Sequence, residues 1–425
     1  MPMSVFARWI NISLISLALA AVLGVLMRFI FLQEVPGLEY RYAMHAHSHG
    51  AMLGWVFPVL YTGYVYLVRP TGAHARWYNG LFWLNVVAVA GMFVAFTIQG
   101  YGAASISFTT LHLLISYVAV ALLWPDLRRA LAGQQALPWL LAALASLVLA
   151  TGGIWALAVA VSSARPNMEL YYLAIQFFLH WQLNGWFLFA TLGLVLALLE
   201  RRLPALLLRR ELRRGFWLLA VGTPLTYGLA VAWAERHPAV YVVTGVGVAL
   251  QLVAIGLWLR AVWPALRVLV TPLAPLPRLL WIGGLGSVAF KALVHGAVAI
   301  PYVAHMAFTV RNYVIGFVHV VTLGATTLTV LALLHAHGNL SLRRRSWWGA
   351  ALLLLGFVLT EALLFLQGTM FWLEWSFLPR YYLILFIGSV PLLIGAVLLI
   401  GTVKGAPQIA ASLDAPRDKP VAAAA

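Results

Sequence analysis

Cysteine is absent from all 425 residues. That excludes disulfides, thiolate metal sites, iron–sulfur clusters and covalent CxxCH haem attachment. Any metal in this chain must use His, Met, carboxylate or backbone ligands. Charge is also scarce, at 9% of residues against 63% hydrophobic, and only 11 residues are acidic. A soluble domain of this length cannot hide so much apolar surface. The net charge of +16 would suit nucleic acid if it formed one soluble face. The basic residues sit instead in short links between apolar runs, which points to membrane topology and a lipid bilayer as partner, with no nucleic acid.

What remains is a succession of apolar runs of the length that crosses a bilayer as a helix, about 20 residues each. Spans are expected near 8–32, 43–68, 77–98, 104–124, 137–162, 168–199, 215–234, 238–263, 279–300, 312–336, 347–367 and 380–403. The fold class is therefore all-α, a polytopic membrane protein of twelve helices. The first run lacks a small-residue cleavage site and is expected to stay as a span. Of the 27 Lys and Arg, twenty fall on one side, in the N-terminus, every second loop and the C-terminus. Arg201, Arg202, Arg343, Arg344 and Arg345 are examples. Six lie on the other side (Arg28, Arg41, Arg165, Arg236, Arg311 and Arg380), and Lys291 lies inside a span. Basic loops stay cytoplasmic, so both termini are expected inside, in a bacterial inner membrane. The Ala/Pro-rich segment 404–425 reads as a disordered tail.

Histidine marks an internal repeat. His45-Ala-His47-Ser-His49-Gly-Ala-Met-Leu-Gly54-Trp55 opens span 2. His180-Trp-Gln-Leu-Asn-Gly185-Trp186 lies in span 6, and His319-Val-Val-Thr-Leu-Gly324 in span 10. Each His precedes a Gly by five residues, and the marked spans are four apart. Three tandem four-helix repeats follow, near 1–130, 131–270 and 271–403. His49, His180 and His319 should meet at similar depth, roughly 10–18 Å below the outer face at 1.5 Å per residue. The Gly gives each helix a small face for a neighbouring helix or a flat macrocycle. At about 100° per residue, His45 and His49 share a face while His47 points nearly the opposite way, so one helix can serve two compartments. Imidazole is the commonest metal ligand, although a single His equally serves as a cap or an interface hydrogen bond.

Twelve spans, a pseudo-threefold arrangement and His near the outer ends of spans 2, 6 and 10 resemble subunit I of haem–copper oxidases and nitric-oxide reductases. The His47-to-Trp55 segment resembles a haem-ligand segment of one oxidase branch. The register from His49 to Tyr66-Leu-Val-Arg-Pro70 is similar to the helix II ligand segment of the reductases. His319-Val-Val-Thr-Leu-Gly-Ala-Thr-Thr-Leu-Thr looks like a late His helix of NnrS-type haem–copper membrane proteins. The resemblance implies one or two b-type haems, with His49 and His319 as axial ligands of one iron and His45 or His47 taking over if helix 2 is rotated. It implies copper at His180, with His47 as a second ligand. Respiratory electron transfer or nitric-oxide/oxygen chemistry would follow, fed by quinol or a separate electron-donor protein, with additional membrane subunits as partners. Two departures stand out: span 7 lacks the family's His pair, and Phe317 occupies a position where the family carries a second His. The copper site is thus incomplete. The competing function is a transporter or copper-handling permease with a His-lined path.

Other polar residues in spans have two readings each. Lys291 and His295, four apart on span 9, suit a proton path or a haem-propionate contact, or a plain hydrogen bond. Glu361 suits a proton relay or a buried neutral acid. His112 is a further ligand or a satisfied core His. Arg28, Arg41 and Arg311 could pair with propionates. His305 is placed in an outer loop, and His335 and His337 at the cytoplasmic end of span 10.

Overall fold

The computed structural model describes residues 1–162, 167–231 and 237–405. Among these residues there is no β-strand, only one isolated bridge between Leu340 and Val403. The protein is an all-α polytopic membrane protein. Its helices are α1 (Met3–Phe29), α2 (Tyr40–Val68), α3 (Gly72–Gln99), α4 (Ala103–Ala130), α5 (Ala136–Ser162) and α6 (Met168–Arg202). Then come α7 (Arg209–Leu225), α8 (Tyr227–Val231), α9 (Pro238–Val270), α10 (Pro275–Val298), α11 (Pro301–Thr309), α12 (Arg311–Ala336), α13 (Arg345–Trp372) and α14 (Tyr381–Leu399).

Among the described residues, eleven helices are long and apolar enough to cross a membrane. Where span 7 is expected, α7 stops at Leu225 and α8 resumes at Tyr227. Pro224 lies in the last turn of α7, where it lacks a backbone donor and crowds the preceding turn. Arg209, Arg210, Arg213 and Arg214 at the start of α7 further shorten its apolar stretch. Arg165, Glu235, Arg236 and the tail beyond Gly405 lie outside the described residues. His305 is not in a loop: it sits in the nine-residue α11, which Pro301 starts as a first-turn residue.

Three helices form the centre. Within the apolar windows of α2, α6 and α12, 78%, 100% and 72% of residues are buried, against 33–44% in the other spans. On the axis Trp55 Nε1 donates to Thr327 Oγ1 at 2.7 Å, joining α2 to α12. Thr191 Oγ1 and Thr326 Oγ1 meet at 3.5 Å between α6 and α12. The outer helices close into a ring: Asn11 on α1 donates to Val403 O and accepts from Gly401 N just beyond α14, both at 2.8 Å.

The central helices share a local device. Each turns from α to π geometry directly after its marker histidine, over Gly50–Val56, Trp181–Phe187 and Val320–Leu328. A π turn bonds i to i+5 and recurs at functional sites. In α12, Thr326 Oγ1 and Thr327 Oγ1 donate to the carbonyls five residues back, Val321 O at 3.0 Å and Thr322 O at 2.7 Å. Within each π turn lies the repeated glycine, and each glycine abuts a serine on the preceding span. A Cβ on Gly54 would lie 2.9 Å from Ser16 Cβ, on Gly185 2.5 Å from Ser146 Cβ, and on Gly324 2.8 Å from Ser287 Cβ. The approach left open by the sequence, helix or macrocycle, is thus taken by a helix. The same contact in three places identifies three four-helix repeats.

Gly324→Val should therefore cost about 1–3 kcal/mol of stability through overpacking. Gly256→Ala, where a Cβ meets open space, should be neutral or slightly stabilising. Thermal unfolding of the two purified variants checks this. Equal melting temperatures would mean the glycine contact does not hold the repeats together.

Candidate functional site

The ring of outer helices and the three central helices enclose three compartments, each with its own polar cluster. The compartment against α1, α12, α13 and α14 holds the closest histidine pair. His47 and His319 face each other with ring centroids 6.5 Å apart and planes at 77°. His47 Nδ1 donates to Ala20 O at 2.7 Å, and His319 Nδ1 donates to Glu361 Oε1 at 3.1 Å. These bonds fix each tautomer and leave both Nε2 atoms with their lone pairs unused. Gly24 makes the room for the first ring, since a Cβ there would lie 3.1 Å from His47 Cε1. Glu361 is buried, and its Oε2 has no hydrogen-bond partner. Arg28, on α1, lies close enough to Glu361 for their charges to interact.

This pairing corrects the register expected for helix 2. His49, expected opposite His319, turns into the compartment of α3 and α4. Its ring packs on Phe96 at 4.3 Å and near Tyr101 at 6.0 Å, and its Nδ1 donates to His45 O at 2.9 Å. His45 stays beside it, 4.6 Å from Tyr101. The reason is the helical rotation itself: two residues separate His47 from His49, so their side chains leave α2 on nearly opposite faces. His112 belongs to the same compartment, donating from Nδ1 to Asn85 Oδ1 at 2.7 Å, with Phe57 edge-on at 4.7 Å.

The third compartment lies between α6, α7, α9 and α10. Here His180 Nε2 donates to Thr223 O at 2.8 Å, and its Nδ1 faces Asn184 Nδ2 at 3.3 Å. Both ring nitrogens are engaged by protein groups, and His47 lies in a different compartment. The copper site expected from His180 with His47 is not assembled. Lys291 and His295 do share a face, as their spacing predicts, and both reach Gln251 Oε1, at 3.4 and 3.0 Å. Phe317 stacks on His295 at 5.3 Å and 17°. Among the described residues no three His, Cys, Asp or Glu converge as a metal cage.

Peripheral expectations sort simply. His335 and His337 hydrogen-bond Leu340 O and Leu333 O at the end of α12. Arg311 Nη2 donates to Met44 Sδ at 3.1 Å and stands over the Tyr40 ring, tying α12 to α2. Sequence reasoning missed Gln251, Asn85, Thr223 and Asn184. A glutamine or asparagine in an otherwise apolar span was the available signal.

No family model matches the chain, and no curated protein matches it. One similar solved structure is described as a heme-copper terminal oxidase dimer. The fold resembles that of this oxidase. The TM-score is 0.69 at 11% identity, over 98% of this chain and 85% of the other. At that identity the likeness concerns the fold alone.

The residues of the first compartment fit a haem. Metal–imidazole bonds of about 2.0–2.1 Å on opposite sides of one iron put the two ring centres roughly 6 Å apart. The observed 6.5 Å matches that span, with both Nε2 atoms free. A hydrogen bond from the second nitrogen to a carbonyl or carboxylate is the usual way such rings are oriented.

His180 serves as a tie between α6 and α7. His180→Ala should cost about 1–3 kcal/mol, because the buried groups around it lose partners. The copper bound after incubation with the metal should not change. Copper content that falls with this substitution would restore His180 as a ligand.

Proposed function

We propose that the chain is a haem-binding membrane protein of electron transfer, holding one b-type haem between His47 and His319. The observation that carries this is the facing pair of imidazoles, each anchored through Nδ1 and free at Nε2. The heme-copper terminal oxidase fold of the similar structure agrees with it. When bound, the haem supplies one-electron redox chemistry.

The chain's own groups set the conditions. His47 and His319 hold the iron from α2 and α12. Glu361 orients His319 and makes its ring a stronger donor, which favours the oxidised metal. Arg28 offsets the Glu361 carboxylate, so the buried acid need not be neutral. Two protein ligands fill both axial positions, so this site moves electrons and leaves no open position for a gas. The compartment of His180 lacks the three-imidazole set that copper would need, so oxygen-reductase turnover is not part of the proposal. Electrons would come from quinol or a separate donor protein. The loop charges place both termini in the cytoplasm, in a bacterial inner membrane.

The test is an optical and electron paramagnetic resonance study of protein purified with haem or reconstituted with it. Wild type should show a low-spin bis-imidazole signal. His47→Ala and His319→Ala should each abolish it, while His49→Ala and His335→Ala should keep it. Glu361→Gln should retain the low-spin spectrum and raise the midpoint potential. Loss of the signal in His49→Ala with retention in His47→Ala would overturn the assignment, and no haem in wild type would discard it.

A further inference from the structure

The compartment between α6, α7, α9 and α10 carries a charge that nothing nearby offsets. Lys291 is 2% exposed. Its Nζ donates to Gln251 Oε1 at a long 3.4 Å, and that oxygen already accepts from His295 Nδ1 at 3.0 Å. Gln251 Nε2 in turn donates to Thr226 Oγ1 at 2.9 Å. Thr226 Oγ1 donates to Thr223 O at 2.9 Å, the carbonyl that also receives His180 Nε2. The chain of bonds thus runs in one direction and consumes its acceptors. An ammonium has three hydrogens to donate, and only one of those on Lys291 has a partner. Among the described residues, no acid pairs with it. Asn184 Oδ1, beside His180, is a bare acceptor, but a neutral oxygen satisfies a bond and not a charge.

A lone ammonium at bilayer depth is costly unless a counter-charge accompanies it. We propose that this compartment binds a small monovalent anion, of the nitrite or thiocyanate class, against Lys291 Nζ. His180, His295 and Gln251 are already orientated by their fixed hydrogen bonds, so they wall the site without needing to rearrange. Phe317, stacked on His295, closes one side with an apolar face. The site is separate from the His47–His319 pair and does not rest on the haem reading.

The experiment uses the full chain in lipid nanodiscs with thiocyanate as an infrared probe of its C≡N stretch. Wild type should give one saturable, shifted band per chain that nitrite displaces. Lys291→Met should weaken binding at least tenfold, whereas His47→Ala and haem-free protein should bind as wild type does. The absence of a saturable band in wild type overturns the proposal, and so does an unchanged affinity in Lys291→Met. Loss of the band in His47→Ala would place the anion at the other site and also overturn it. Should Lys291→Met fail to fold, Lys291→Arg decides: its band must persist at an altered frequency, and an unaltered frequency counts against Lys291 as the contact.

Discussion

The close approach of Gly54, Gly185 and Gly324 to a serine on the preceding span sets the geometry on which the three compartments depend. In a bilayer, lipid tails are as apolar as leucine, so helices are not driven together by the hydrophobic effect. What holds them is close packing and interhelical hydrogen bonding. A residue without a side chain lets two backbones approach, and the hydroxyl opposite keeps its own bond to the turn above: Ser146 to Ala142 O, Ser287 to Gly283 O. Because the glycine lies five residues after a histidine, fixing the glycine fixes the depth and rotation of that histidine. The π turn that starts between them lets the ring leave an α-helical turn at a constant angle while the glycine meets its partner.

The repeat therefore delivers one imidazole to each compartment and leaves the chemistry to the other helices. In one compartment Asn85 receives His112 and the aromatic rings of Phe96 and Tyr101 enclose His49. In another, a carbonyl and an asparagine occupy both nitrogens of His180. In the third, Glu361 takes only one nitrogen of His319, and an additional ring, His47, arrives from the far face of α2. That additional ring is what makes a facing pair there. It comes from the HxHxH run in helix 2, which has no counterpart at His180 or His319.

Much of the architecture was legible in the sequence because the bilayer imposes length and the repeat imposes spacing. The span ends fall close to expectation, and span 7 was unclear for a physical reason: Pro224 and four arginines shorten its helix. The site was legible in kind but not in register. Residue types and spacing place His45, His47 and His49 on two faces, but the absolute rotation of α2 is decided by Gly54 against Ser16 and by Trp55 against Thr327. Those partners lie 38 and 272 residues away. The second-nitrogen partners were equally hidden, because Ala20 O is a backbone atom and Glu361 is 42 residues from His319.

Electrostatics then separates the compartments by sign. Glu361 brings an acid to the His319 ring, with Arg28 to balance it, a setting that favours a bound cation at the facing imidazoles. Lys291 brings a positive charge to the neighbourhood of His180. Two unit charges about 6 Å apart repel by roughly 3 kcal/mol at an effective dielectric near 20, about a hundredfold in affinity. A divalent metal would feel twice that. The histidine that topology places where copper was expected is thus held by a carbonyl, faces an amide, and stands beside a like charge. Each of these alone would weaken metal binding there. Together they make the compartment receptive to the opposite sign of ligand, while the acid-backed pair across the axis keeps the metal chemistry.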